Sequence, residues 1–540
     1  MKKEIGMRVR DKFVPYFVFP AIVGIASGVM IFAFKIASSF VMSKSTEIYA
    51  YVRENPAYLP FLLLGAVLLG GLSALILKYA KECRGGGIPT AVATIRGLIP
   101  LKWIQCLTGL FGSSMLTYLA GVPLGNEGPS VQMGAAVGKG ISGLFGKKNK
   151  AWERYNMTGG ASAGFAIATG SPLSGIVFAL EEMHRRFSPP VFIVASVAVL
   201  SGKATSDLIC GWFDVDTTFF NFEIDKFLPF KYLWVSVLIG VVCGVCANLL
   251  TNIYHILRKF AEKRLVRVPF SVKIMLIFLA VALVGFAGAE FVGSGHSLIE
   301  MILERHTVWY VMLIALLVRS MIMILANNSG VSGGLFVPTL ALGAIIASLI
   351  SDGLIALGVI GAEYYQVLVI IGIASFLSAS SRIPLTALTF SAEALCVASN
   401  LLPVAAGVVV AYLVVEILGV PSFTDTVIES KLHNEYKDKA RTVVDSYMTV
   451  KEGALAVGME VRDILWPPTC TILSMEKSNT KSRIHSGIIE AGDVLHLHYR
   501  TYDRDETLAL LVDILGDCEE HDCLKTYTAG ENHFVPENDE

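Results

Sequence analysis

The chain of 540 residues is 54% hydrophobic and only 16% charged, with a mean hydropathy of +0.61, which excludes an ordinary soluble globular protein, a disordered chain and a disulfide framework. Its net charge of -1 hides an asymmetry: from Lys431 to Glu540 there are 12 basic and 21 acidic residues, a balance of -9, so the preceding part carries 32 minus 24, or +8. A basic, polytopic membrane body is therefore followed by an acidic, water-loving tail, and nothing resembles a nucleic-acid-binding patch.

The amino terminus, MKKEIGMRVRDK, places basic residues ahead of an uncharged stretch from Phe13 to Phe34. That stretch is longer than the roughly 7–15 residue apolar core of a signal peptide, so the N-terminus is expected to be retained and cytoplasmic under the positive-inside rule. Uncharged runs recur at Asn55–Leu77, Trp103–Asn126, Tyr155–Leu180, Phe187–Gly202, Tyr232–Leu257, Ile274–Ala289, Ser320–Ser351, Tyr364–Ser381 and Ala394–Val415. A membrane-spanning helix needs about 20 apolar residues, so some of these are long, tilted spans and others are too short or interrupted to cross once. The interruptions carry Gly121, Pro123, Gly125 and Pro129 in one place and Gly330, Gly333, Gly334 and Pro338 in another. Broken helices at membrane depth are tolerated where they are buried in protein or line an aqueous cavity, which makes both breaks candidate solute sites.

The breaks belong to an internal repeat. GNEGPSVQMGA (Gly125–Ala135) and GLFVPTLALGA (Gly334–Ala344) align at an offset of 334 minus 125, or 209. Pro172-Leu173-Ser174 with Glu181 pairs with Pro384-Leu385-Thr386 with Glu393 at 212, and Gly85–Gly87 pairs with Gly293–Gly295 at 208. Duplicated halves with broken helices are the signature of secondary transporters, in which the solute binds between the halves. Past Pro421-Ser422-Phe423 and an amphipathic exit from Thr424 to His433, the pattern changes to short alternating runs such as CTILSM and VLHLHY, a turn at Ala491-Gly492-Asp493 and a helix near Glu506–Leu515, predicting a small mixed α/β module.

A helix N-terminus presents unsatisfied N–H groups and a partial positive charge of about half a unit, and glycine-rich turns let that backbone approach an anion closely. Three such turns, GGGIP at Gly85–Pro89, GNEGP at Gly125–Pro129 and GLFVP at Gly334–Pro338, contain no Lys or Arg. Together they could replace an anion's hydration shell while still releasing the ion. In order, they resemble the three anion-coordinating signatures of the CLC family of chloride channels and proton/chloride exchangers, over about residues 15 to 430. The tail from Asp445 to Gly516 resembles the C-terminal ligand-sensing module of RCK potassium-transport regulators (TrkA-C type), chiefly through GIIEAGDVLHLHY.

The resemblance implies an all-α polytopic membrane fold of two inverted repeats with broken helices, followed by a small α/β cytoplasmic domain. Domain limits are expected at 1–436 for anion transport, 437–520 for the regulatory module and 521–540 for an acidic, disordered tail. It implies a homodimer in a bacterial-type plasma membrane, in contact with lipid, with both termini cytoplasmic, no organic cofactor and a small cytoplasmic ligand such as a nucleotide at the tail. Gly86, Gly87, Ile88, Leu335 and Phe336 are expected to offer anion-binding backbone, and Phe423, aligned with the family's inner-gate Tyr, to line the exit without that hydroxyl. Gly86 stands where many chloride-selective members have Ser.

Glu127 is a carboxylate inside an apolar stretch, where such a group faces a cavity and works as a proton carrier or ion mimic. By resemblance it is the gating glutamate, and Glu182 matches the position from which exchangers draw protons on the inner side. Two readings stay open: proton-coupled exchange of chloride or a similar anion, and a passive voltage- or ligand-gated chloride channel. A third, remote reading is an intramembrane serine protease, since Gly160–Gly164 (GASAG) fits the nucleophile-elbow pattern, with His255 and His296 as candidate partners for Ser162. Cys243 and Cys246 read as small hydrophobes on a helix, and the Cys518, His521 and Cys523 group lacks a fourth zinc ligand, so no metal is expected.

Overall fold

The computed structural model describes residues 13–145, 150–214, 219–220, 226–264, 267–305, 308–436, 442–478, 483–484, 486–516, 520–522 and 527–528. The basic N-terminal segment, Cys518, Cys523 and the acidic stretch from residue 529 lie outside them. The chain forms two compact units, one of residues 1–95, 100–144 and 155–428, the other of residues 96–99, 145–154 and 429–540.

Among the described residues, the regular elements of the first unit are helices. Its helices are α1 (Phe19–Glu54), α2 (Leu59–Tyr79), α3 (Ile88–Ile95), α4 (Trp103–Leu119), α5 (Glu127–Phe145), α6 (Lys150–Thr169, from Tyr155), α7 (Pro172–Phe178) and α8 (Pro189–Phe213), then α9 (Leu233–Arg264), α10 (Phe270–Ala287), α11 (His296–Leu303), α12 (Trp309–Asn328), α13 (Phe336–Ala356), α14 (Tyr365–Ser381), α15 (Pro384–Glu393), α16 (Leu401–Ile417) and α17 (Phe423–Glu435, to Ile428). Among the described residues nine helical segments are long and apolar enough to cross a membrane. Others, such as α3 and α11 with eight residues each, reach only part of the way, since an eight-residue helix is about 12 Å long. Large apolar side chains such as Phe61, Leu68 and Leu75 of α2 point outward, as they do where lipid is the solvent.

The backbone obeys the repeat in detail. Gly85 and Gly87 have φ of 52° and 133°, and their counterparts Gly293 and Gly295 have 75° and 118°. Each pair of glycines in this left-handed region turns the chain into an eight-residue helix, α3 from Ile88 and α11 from His296. The two halves meet through a reciprocal bridge. The Gly125 N–H donates to the Gly334 carbonyl at 2.8 Å and the Gly334 N–H to the Gly125 carbonyl at 2.7 Å. A second exchange joins α7 and α15. Glu181 accepts hydrogen bonds from the N–H groups of Leu385 and Thr386 and the Thr386 hydroxyl, while Glu393 accepts from the N–H groups of Leu173 and Ser174 and the Ser174 hydroxyl. Each half thus satisfies the free donors at the start of the other half's helix.

The second unit holds an antiparallel sheet of β1 (Thr442–Thr449), β2 (Thr471–Glu476), β3 (Arg483–Ile484), β4 (Val494–Thr501), β5 (Glu520–Asp522) and β6 (Tyr527–Thr528), in the order β3-β2-β4-β1-β5 with β6 also on β1. Strand alternation buries Met448, Leu495, Leu497 and Tyr499 against Leu511 and Leu515 of α18 (Arg504–Leu515). The N-cap of α18 is Asp503, whose side chain accepts from the Glu506 N–H. Arg154, on the segment this unit takes from the start of α6, donates to the carbonyls of Leu465, Trp466 and Arg96.

Candidate anion and proton site

The three motif turns converge on one point. A Cβ at Gly128 would lie 2.6 Å from the Gly334 Cα, 3.0 Å from the Gly87 Cα and 3.4 Å from the Ile88 nitrogen, so the backbones of all three turns touch where no side chain fits. Helices α3, α5 and α13 start there, and by position their first N–H groups lack intrahelical acceptors. Beside this point lies a cavity of about 30 Å³ lined by Ile88, Glu182, Leu335, Phe336 and Phe423, among others. The Phe423 ring packs edge-on against Tyr254 at 4.9 Å. Glu182 is 1% exposed and stands on a single π-turn, Ala179–Met183, that ends α7, a local widening that re-aims side chains.

Two of the expected backbone donors are already engaged. The Gly86 N–H donates to the Cys83 carbonyl at 3.0 Å and the Gly87 N–H to Gln132 Oε1 at 2.8 Å. The reason is the left-handed turn at Gly85 and Gly87, which curls Gly86 back over Cys83 while α5 presents Gln132. Gln132 also donates from Nε2 to the Glu82 carbonyl at 3.1 Å and so clamps the turn from both sides. A Cβ at Gly86 would meet the Cys83 carbonyl at 2.8 Å and Gln132 Oε1 at 3.0 Å, so a serine would be crowded in this packing. Of the other expected anion-binding positions, Ile88, Leu335 and Phe336 line the small cavity.

Glu127 opens α5 and is fully buried. Its side chain folds over Gly125, where a Cβ would sit 2.3 Å from Glu127 Oε2, and neither carboxylate oxygen has a hydrogen-bond partner among the described residues. It borders a second, larger cavity of about 520 Å³, which also holds Lys35, Asn126 and His296. His296 Nε2 lies 3.9 Å from Glu127 Oε1. The Phe336 ring, which borders the small cavity, packs edge-on against Phe165 at 5.2 Å and Phe390 at 5.3 Å.

The GASAG run forms no nucleophile elbow. Ser162 lies inside α6, its hydroxyl has no partner among the described residues, and a Cβ at Gly160 or Gly164 would strike the α5 backbone at 2.1 and 2.3 Å. The small residues let α5 and α6 touch. His255 instead pairs with the Thr426 hydroxyl at 3.5 Å. Sequence reading missed Gln132, which looks like any polar residue on a small-residue helix, and it missed Lys35, a cation inside a helix that is otherwise a membrane span, which is itself a signal.

A polytopic helical body with two inverted repeats, whose glycine-rich turns meet backbone to backbone beside the buried carboxylates of Glu127 and Glu182, has the build of the class of broken-helix membrane transport proteins. The family profile described as Voltage gated chloride channel matches residues 65–416, and the chain belongs to this CLC family. It is 26% identical to the H(+)/Cl(-) exchange transporter ClcA of Klebsiella pneumoniae subsp. pneumoniae over 430 residues, 78% of this chain and 89% of the relative. The ClcA of Yersinia pseudotuberculosis is 26% identical over 388 residues, 69% of this chain and 78% of the relative. Among solved structures, a slow cyanobacterial Cl-/H+ antiporter superposes with a TM-score of 0.71 at 22% identity, covering 78% of this chain and 99% of that one. A CLC-type fluoride/proton antiporter gives 0.62 at 18%, covering 77% and 98%. The fold is accordingly a CLC-type membrane domain with a small α/β domain at the C-terminal end.

Proposed function

We propose that the protein exchanges chloride, or a similar monovalent anion, for protons across a membrane. The observation that carries this reading is that Glu127 and Glu182 line two different cavities, next to three lysine- and arginine-free helix starts whose backbones meet at Gly128. In the small cavity the N–H groups of Ile88, Leu335 and Phe336 bind the anion with partial charges only, so it is held and released. Phe423 borders the exit through its ring, which supplies shape and no hydroxyl donor. Glu127 alternates between an ionised state that competes with the anion and a protonated state that leaves it, and Glu182 exchanges protons on the other side. The relatives named as H(+)/Cl(-) exchange transporters support the same reading.

The membrane domain is proposed to span residues 1–436 and to act as a homodimer with one path per subunit, in a bacterial-type plasma membrane with both termini cytoplasmic. Residues 437–520 are proposed to be a TrkA-C-like module that binds a small cytoplasmic ligand such as a nucleotide; residues 521–522 and 527–528, expected in a disordered acidic tail, pair with β1 instead. Reconstitution into liposomes tests the central reading: an imposed chloride gradient drives protons uphill in an exchanger. Chloride movement with protons left at equilibrium would favour a passive channel.

A further inference from the structure

The short helix α11 is the repeat counterpart of α3, and His296 is the counterpart of Ile88, since 296 minus 88 is 208, the offset of Gly293 from Gly85. Ile88 opens its helix onto the small cavity that holds Glu182. His296 opens its helix onto the large cavity that holds Glu127. The repeat has thus placed an imidazole beside the carboxylate at the position where the other half offers an aliphatic side chain.

The geometry of that imidazole is directional. Its Nδ1 lies 3.1 Å from the Ser294 hydroxyl and its Nε2 lies 3.9 Å from Glu127 Oε1. The ring is gripped edge-on by Phe219 at 4.8 Å and flanked by Phe220 at 5.4 Å. Both residues line the cavity, but the His296 side chain is 27% exposed while that of Glu127 is 0%, so at this cavity solvent reaches the imidazole and not the carboxylate. The other titratable groups facing this cavity are Lys35, Tyr49, Arg53, Tyr118 and Glu290. Tyr49 and Tyr118 donate to the carbonyls of Ala120 and Gly125, Lys35 donates to the Ile167 carbonyl at 3.4 Å, and Arg319 behind the loop donates to the carbonyls of Glu290, Val292 and Gly293. Imidazole is the side chain among them whose ordinary pKa lies near neutrality.

We infer that His296 is a proton-relay residue that carries protons between the large cavity and Glu127; this rests on the exchange reading above. In the inward step the imidazolium Nε2–H bond breaks and a Glu127 Oε1–H bond forms, so a cation and an anion become neutral imidazole and neutral carboxylic acid. The imidazole Nε2 then takes a new proton from hydronium in the cavity, leaving water, and the reverse sequence returns a proton to cavity water as hydronium. Closing 3.9 Å to hydrogen-bond reach requires a movement of about 1 Å or one bridging water, as is common for proton-transfer pairs seen without substrate.

The test uses full-length protein in liposomes, with chloride flux and chloride-driven proton flux recorded across about pH 5 to 9. His296→Gln, which keeps size and polarity and loses titration, is expected to lower proton flux about tenfold near neutral pH and to flatten its pH profile, with a smaller effect on chloride flux. His296→Ala is expected to behave likewise and to regain proton flux when imidazole is added to the buffer, since the cavity can admit it. A wild-type pH profile in His296→Gln overturns the relay. So does an equal loss of chloride and proton flux at every pH in both variants, the mark of a structural role. If the unmodified protein shows no chloride-driven proton flux, the exchange reading itself falls and the relay with it.

Discussion

Glu127 and Gln132 stand five residues apart on one helix and meet different turns: Glu127 folds over Gly125, and Gln132 accepts from the Gly87 N–H. Glu127→Gln should keep anion flux and lower chloride-driven proton flux by about 100-fold, because the amide can neither titrate nor mimic the anion; liposome flux assays with a pH-sensitive dye read both. Coupling that survives in this variant removes Glu127 from the mechanism. Gln132→Leu should strip the buried Gly87 N–H of its acceptor, a cost of about 1–2 kcal/mol, and lower anion flux about tenfold through a loosened α3 start, measured as initial chloride efflux. Glu127 was legible in the sequence because a carboxylate in an apolar run is anomalous by itself. Gln132 was not, because its meaning lies in a contact with a glycine 45 positions away. The same blindness produced the expectation that Gly86 and Gly87 lend their N–H groups to the anion, when the turn consumes both.

Helices α7 and α15 each begin with proline and end close to a glutamate that serves the other, so the start of one is charged by the finish of its partner. Glu393→Ala removes three hydrogen bonds from the first turn of α7 and should destabilise the membrane unit by about 1–2 kcal/mol, seen as a lower midpoint in a thermal solubility assay, while the chloride-to-proton ratio is unchanged. The offset between Glu181 and Glu393 was visible in the sequence, and so were the breaks at Gly121–Pro129 and Gly330–Pro338, since glycine and proline punctuate the chain wherever they fall. What the offset could not convey is that the caps are exchanged between halves, because spacing carries no information about which pseudo-symmetric neighbour a side chain reaches.

In the C-terminal unit, Asp493 plays a similar part in the turn before β4. Burial pushes its carboxyl up, but hydrogen bonds from Lys477 and from the N–H groups of Glu490 and Ser478 outweigh this and hold it below the ordinary carboxylate range. A lowered folded-state pKa contributes stability that is present above the unfolded value of about 3.9 and lost as pH falls through the folded one. Amide exchange in β4 of the full-length protein should therefore accelerate below about pH 4. Asp493→Ala should accelerate it at neutral pH by the equivalent of about 2 kcal/mol, and unchanged exchange would deny Asp493 this role.

At the scale of the whole molecule, the charge division read from composition corresponds to two kinds of structure: a helical body whose three converging glycine-rich turns carry no Lys or Arg, and an acidic unit built on a six-stranded sheet. The body's architecture was legible because membrane spans, glycine breaks and the repeat all leave marks in sequence. The tail's strands were legible from alternation, but its use of residues 96–99 and 145–154 was not, since those segments read as ordinary loops between helices. Truncation after residue 436 should leave anion–proton coupling intact and abolish any response of transport to a nucleotide added on the cytoplasmic side; a response that persists would place the sensor elsewhere.

The most direct test of the account is the reversal potential of the purified protein in a planar bilayer with equal chloride on both sides and a pH difference across it. Obligatory exchange predicts a reversal potential displaced from zero, in the direction and proportion set by the proton gradient, and a return to zero in Glu127→Gln. A potential that stays at zero in the unmodified protein whatever the pH difference would mean that anions cross without protons, and would contradict the account.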